Sequence, residues 1–310
     1  MLSTLKKNLP WAYNYYLHIK RRRKIRYIEK LKQKPFEDYQ KILGDLYKKK
    51  IGHELDWNNL TTYTEKMQWE KIFNKNPMKS KLSDKYKVRE WVSSKIGKQY
   101  LIPLLGCWDN FEDIDFSKLP NQFVLKTNHG SGTNFIVKDK SKMNIKMIRE
   151  LFKDWMETDY GYNTGFELHY SDIKPKIIAE KYMESEIGEL QDYKFLCFNG
   201  KAYYCWVDMG RYTNHTRNVY DLNWNLQPWN QASYGVYSKS IDRPKNFDKM
   251  IELANILCKG FPHVRVDFYN IDGMIYFGEM TFTNGSGLDP IIPNKYDKML
   301  GDLWNIESLY

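Results

Sequence analysis

The chain has 310 residues, 42% hydrophobic and 16% aromatic, enough apolar material for a sizeable core and too much for a disordered polymer. Its formal charge of +10 lies in residues 1–34, where eleven Lys or Arg meet one acid, Glu29; the other 37 basic and 37 acidic residues cancel, which excludes a nucleic-acid channel spread through the fold. Cys107, Cys197, Cys205 and Cys258 lack C-x-x-C and zinc-finger spacing, and no apolar run approaches a spanning helix, so a disulfide framework, a zinc module and a membrane span are not expected.

Reduced thiols in a cytoplasmic protein are the expectation, and the first residues lack the order of a secretory signal, since their aromatic stretch precedes the main basic cluster. Residues 1–50 read as mainly helical and basic, with Trp11, Tyr13, Tyr15 and Tyr16. Two readings fit this arm: a solvated helix, or a helix lying on an anionic membrane surface, where Lys and Arg meet acidic headgroups and Trp and Tyr settle at the interface.

Thr62 and Glu65 stand at capping-box spacing ahead of Met67, Trp69, Ile72 and Phe73 and predict a helix start. Ser83 is read as the cap of a further helix, DKYKVREWVSSKI, which aligns Val88 with Val92 and stops at Gly97. From residue 121 strands alternate with glycine loops: QFVLKT, the loop NHGSGTN, FIVKDK, the helix NIKMIRELFKDWME, then the strand KIIAEKYM. A hairpin YKFLCFNGKAYYCWVDM turns at Asn199-Gly200, and the helix NFDKMIELANILCKG precedes a last hairpin, VRVDFYNIDGMIYFGEMTFTNGSG. The pattern predicts an α+β protein, divided at 1–60 (basic arm), 61–118, 119–185 (small subdomain with a glycine flap) and 186–310 (C-terminal subdomain).

Three stretches carry candidate chemistry. In FVLKTNHGSGTN a strand-ending lysine, Lys126, precedes a loop whose N–H groups can cradle a phosphate; read alone, it is also a flexible hairpin with a surface lysine. In the last hairpin a three-residue turn, Ile271-Asp272-Gly273, sets Arg265 opposite Glu279 and Asp267 opposite Phe277. Arg265, Asp267, Glu279 and Thr281 then share one face, whereas a two-residue Asp-Gly turn splits Asp267 from Glu279. Two adjacent carboxylates repel unless a cation lies between them, which suggests Mg²⁺. The third stretch, IIAEKYMESEIGE, runs from an apolar strand into polar loop and offers edge backbone to a planar base.

In chain order, these pieces resemble the ATP-grasp superfamily over roughly residues 80–290, and TEKMQW, LSDKYKVREWV, YLIPLLGCWD, DYKFLCFNGK and FPHVRVDFYN are similar to its TupA-like branch, associated with surface-polysaccharide loci. The resemblance implies an ATP-grasp fold with ATP held between two subdomains. Lys85 and Lys126 would contact phosphates under a flap of Gly130, Ser131 and Gly132; Glu180, Lys181 and Met183 would bracket adenine; Glu186 or Glu189 would take the ribose. Lys194 is a further phosphate contact, Arg265 steadies the phosphorylated intermediate, and Asp267 and Glu279 match Mg²⁺ ligands. Thr281 stands where the pattern often has Asn, and Asn284, Gly285 and Ser286 resemble the loop that holds the second substrate.

What this implies is an ATP- and Mg²⁺-dependent ligase that joins a carboxylate to an amine through an acyl phosphate, with a uronic-acid sugar or acidic polymer as acid and an amino acid as amine. The expected partners are small molecules and, through residues 1–34, an anionic membrane. Two alternatives are a glycosyltransferase using the Asp113-x-Asp115 triplet and a catalytically inactive nucleotide-binding adaptor at the membrane.

Overall fold

The computed structural model describes residues 10–184, 191–210, 215–237 and 241–306. Two helices open it, α1 (Pro10–Lys32) and α2 (Phe36–Ile51), followed by α3 (Tyr63–Ile72), α4 (Pro77–Ser83) and α5 (Val88–Lys95). No helix among the described residues is long and apolar enough to cross a membrane. The capping box forms as expected: Thr62 Oγ1 accepts from Glu65 N, and Glu65 Oε2 accepts from Thr62 N at 2.8 Å. Ser83, expected to cap α5, instead ends α4; its neighbour Asp84 turns the chain, Oδ1 accepting from the Tyr86 and Lys87 amides. A carboxylate accepts two amides, which a hydroxyl does less well.

A four-stranded antiparallel sheet has the order β1 (Leu104–Trp108), β4 (Ile177–Lys181), β2 (Phe123–Thr127), β3 (Asn134–Val137). Helix α6 (Ile145–Glu157) starts on an Asn144 cap and packs Ile148 and Phe152 against Phe123, Leu125, Ile177 and Ala179. A short α7 (Tyr160–Asn163) follows it.

The second sheet has five strands in the order β10 (Met274–Thr281), β9 (His263–Ile271), β5 (Asp192–Phe198), β6 (Lys201–Met209), β7 (Thr216–Asp221). Asn199 and Gly200 both take positive φ at the expected β5–β6 turn. Helix α8 (Phe247–Cys258) covers its back, where Val264, Val266, Phe268 and Met280 meet Met250, Leu253 and Leu257. One end of the front is covered by α3 and by α9 (Lys295–Asp302): Leu196, Phe198 and Trp206 pack with Tyr63, Met67, Leu300 and Trp304. The other end of that face is charged and open. A two-stranded ribbon, β8 (Asn230–Gln231) with β11 (Ile291–Ile292), completes the fold.

The last hairpin differs from expectation in a way that matters. Its turn has two residues, Asp272 and Gly273, both at positive φ, and Met274 pairs with Ile271. On that register Asp267 and Glu279 would face opposite sides, but a bulge at Gly278 restores parity: Phe277 pairs with Phe268, then Glu279 with Asp267 and Thr281 with Arg265. The expected pairs Arg265–Glu279 and Asp267–Phe277 are therefore corrected, while the shared face stands. An added Cβ at Gly278 would sit 3.2 Å from the Asp267 carbonyl oxygen, so a residue without one suits the bulge.

Candidate active site

A cleft open to solvent is lined by both sheets and by α5: Lys126, Asn134 and Glu180 from the first sheet, Asp192, Lys194, Asp267, Tyr269 and Glu279 from the second, with Lys85 and Arg89. Three cations meet on its first side. Lys126 Nζ donates to Glu180 Oε2 at 2.5 Å and Arg89 Nη1 to Oε1 at 3.2 Å. Lys85 Nζ donates to the Gly130 carbonyl, its backbone N–H bonds Asn128 O at 3.1 Å, and Asn128 Nδ2 donates to Asp84 Oδ1 at 3.0 Å. The Asp84-Lys85 turn and the glycine loop are thus tied together. Burial lowers the Lys85 ammonium below the ordinary lysine range, Glu279 acting in the opposite sense. Ser131 and Gly132 are exposed at the loop tip.

The second side is a charged ladder across the five strands of the second sheet. Arg265 donates to both Asp267 oxygens at 2.7 Å and to Glu279 Oε1 at 2.7 Å; Lys194 donates to Asp267 and Asp192, each at 2.9 Å. Asp208 lies 3.9 Å from Lys194 and takes a two-pronged pair from Arg217 at 2.6 and 2.8 Å. Burial opposes the charge on Lys194, but Asp192 and Asp267 outweigh it and hold the ammonium above the usual range, so Lys194 is a fixed positive charge rather than a base. Arg265 is likewise raised by Asp267 and Glu279 against burial.

The cation between Asp267 and Glu279 is therefore the Arg265 guanidinium, and their closeness does not by itself require a metal. Among the described residues no group of three or more His, Cys, Asp or Glu gathers as a metal site. The donor chemistry still fits a hard cation. Glu279 is 35% exposed toward the cleft, and Thr281 Oγ1 donates to its Oε1 at 3.0 Å.

Thr281 Oγ1 also accepts from Arg265 at 3.1 Å, and Asn284 Oδ1 accepts from Arg265 Nη1, while the buried Asn284 Nδ2 has no hydrogen-bond partner among the described residues. Gly285 and Ser286 shape the turn below it. Lys181 donates its amide to Pro103 O at 2.9 Å at the end of β4, and Met183 follows, half-buried. Glu186 and Glu189 lie outside the described residues.

Asp113 and Asp115 do not line this cleft. Asp115 caps a turn through Ser117 N at 3.0 Å, and Asp113 accepts from Asn110 at 3.0 Å, both on exposed loops. Arg89, Asp192, Asp208 and Arg217 were missed from the sequence. Asp192 and Lys194, two apart on one strand, were a visible same-face signal.

Two facing antiparallel-sheet units, with lysines on one and a carboxylate-arginine hairpin on the other, follow the plan of an ATP-grasp fold. The chain belongs to the TupA-like ATP-grasp family, whose model matches residues 65–305. A comparison with curated proteins finds no match. Among solved structures the chain is similar to D-alanine–D-alanine ligase from Bacillus anthracis complexed with ATP (19% identity, 66% of this chain and 55% of that one, TM-score 0.40). It is also similar to phosphoribosylamine–glycine ligase from Thermotoga maritima (10%, 68% and 52%, 0.41) and to L-amino acid ligase from Bacillus licheniformis (12%, 71% and 46%, 0.41). The matched region spans about half the length of these enzymes.

Proposed function

We propose that the chain is an ATP-dependent carboxylate–amine ligase, forming an amide through an acyl phosphate. The observation that supports it most is the convergence of Lys85, Arg89 and Lys126 on one cleft with Lys194, Arg265, Asp267 and Glu279. In this reading the triphosphate replaces Glu180 as partner of Lys126 and Arg89, and takes Lys85 from the Gly130 carbonyl beneath the flap Gly130-Ser131-Gly132. Met183, beyond the last paired residue of β4, offers the adenine edge, with Glu180 and Lys181 beside it. Glu279, with Asp267 and Thr281, would hold a Mg²⁺ that offsets phosphate charge. Arg265 and Lys194 stabilise charge developing on the transferred group, and Asn284 Nδ2 offers a donor to the acid or its phosphate. Because an acyl phosphate hydrolyses readily, a closing glycine loop that excludes water fits the same chemistry.

The acid we infer is a uronic-acid sugar or acidic polymer of surface-polysaccharide synthesis and the amine an amino acid, on the strength of family membership alone. The basic first helix supports peripheral attachment to an anionic membrane. A screen of ADP and phosphate release, pairing amino acids with uronic-acid sugars, tests the reading: release must need both substrates and fall in Lys126→Ala. Release that ignores the amine would overturn ligation.

A further inference from the structure

Helix α3 carries the stretch TEKMQWEK, to which no step of the ligase chemistry assigns a role. Nine of its ten residues are buried, including Gln68, Glu70 and Lys71. It is pinned from below, since Asp297 accepts from Thr64 N at 3.0 Å and Lys66 donates to Gly301 O and Trp304 O at 2.8 Å. Gln68 and Lys71, three apart and so on one helical face, reach the turn Asn284–Gly287. Lys71 Nζ donates to Ser286 O at 3.0 Å and contacts Ser286 Oγ at 3.1 Å; Gln68 Nε2 donates to Gly287 O at 2.8 Å. Ser286 Oγ in turn donates to Thr164 O at 2.8 Å.

That turn is unusual. Gly285, Ser286 and Gly287 are consecutively left-handed, at φ of 56°, 57° and 61°. A serine there costs free energy and persists only if its surroundings hold it. The turn presents Asn284, whose Oδ1 fixes Arg265 and whose Nδ2 is an unpartnered buried donor.

We propose that Lys71 and Gln68 are positioning residues: they hold the left-handed turn so that Asn284 aligns Arg265 in the cleft. The inference rests on the ligase reading. Burial pushes Lys71 down to about 7, with Glu167 acting the other way, so the grip is strongest while Lys71 is protonated. The other charged groups nearby are Glu167, which accepts from Thr283 Oγ1, and the Lys79–Glu70 pair at 2.7 Å.

The test is Lys71→Met in the full chain, with calorimetric Mg-ATP binding, turnover from ADP release, and a pH profile. Mg-ATP affinity should stay within about threefold while kcat falls about 10²-fold, the scale of a 1 Å misplacement. In wild type kcat should decline as pH rises past about 7, and that limb should vanish in Lys71→Met. A folded Lys71→Met with wild-type kcat and the wild-type pH profile would overturn the inference and leave the ligase reading standing. If Lys71→Met does not fold, Gln68→Met decides, because it too must lower kcat with Mg-ATP affinity kept. A wild-type chain that releases no ADP with any substrate pair sinks both.

Discussion

Asp267 and Glu279 stand directly opposite each other on β9 and β10, with the Arg265 guanidinium bonded to both at 2.7 Å. The two-residue turn alone would part them, and the Gly278 bulge reunites them. Gly278→Val should disfavour the bulge, because an added Cβ sits 3.2 Å from the Asp267 carbonyl oxygen; a regular strand would pair residue 278 with Asp267 and turn Glu279 toward Val266, Phe268 and Met280, leaving a carboxylate in an apolar core. Loss of about 3–5 kcal/mol in denaturant unfolding is expected, the cost of an unpaired buried charge, together with loss of Mg-ATP binding. A Gly278→Val variant as stable as the parent that still binds Mg-ATP would show that the bulge does not depend on glycine.

Asp267→Asn removes the shared partner of Arg265 and Lys194 and should cost about 3–5 kcal/mol and abolish ADP release. Asp113→Asn and Asp115→Asn should leave activity intact and change stability by no more than about 0.5 kcal/mol, because both sit on exposed turns and Asn caps as well as Asp. Comparing these variants separates the ligase from the transferase. Loss of activity in the Asp113 and Asp115 variants alone would favour the latter.

His129, His169 and His263 are buried, and burial holds all three below the ordinary value, His263 at about 3. His263 Nδ1 donates to Cys197 O at 3.0 Å, which leaves Nε2 to accept from Tyr63 OH at 3.3 Å. The folded values lie below the unfolded one, so their stabilisation is complete above pH 6.5 and is lost as pH falls toward 3, at up to about 1.4 kcal/mol per pH unit per histidine. Denaturant midpoints at pH 7 and pH 5 should show the fall, and His263→Gln should narrow it. An unchanged gap in that variant would show that His263 contributes nothing to it.

The basic arm is docked at its end. Ile28 and Leu31 are buried, Arg21 pairs with Glu157 at 3.3 Å and Lys32 with Asp159 at 2.6 Å. Deleting residues 1–34 should lower stability by about 1.5–3 kcal/mol for each of the two lost apolar side chains, while Mg-ATP binding persists. Binding to anionic vesicles, measured by co-sedimentation, should disappear with the arm. Vesicle binding that survives the deletion would place the membrane contact elsewhere.

The elements legible in the sequence were those written in local chemistry. The Thr62–Glu65 box, the Asn199-Gly200 turn and the α6 stripe of Ile148 and Phe152 each need only neighbours within a few residues. The bulge was not legible, because a glycine after Phe277 looks the same whether or not it adds a residue to the strand. Nor was the burial of the polar side chains on helix α3, whose Thr64, Gln68 and Lys71 find partners more than two hundred residues away. Arg217 reads as a surface charge until the β6–β7 register sets it against Asp208.

Calorimetric titration with Mg-ATP tests the central claim most directly. Saturable binding is expected, weakened about tenfold to a hundredfold in Lys126→Ala and in Arg89→Ala, since each removes a charged hydrogen-bond donor from the cleft. Absence of binding heat with the folded wild-type chain, or equal affinity in both variants, would contradict it.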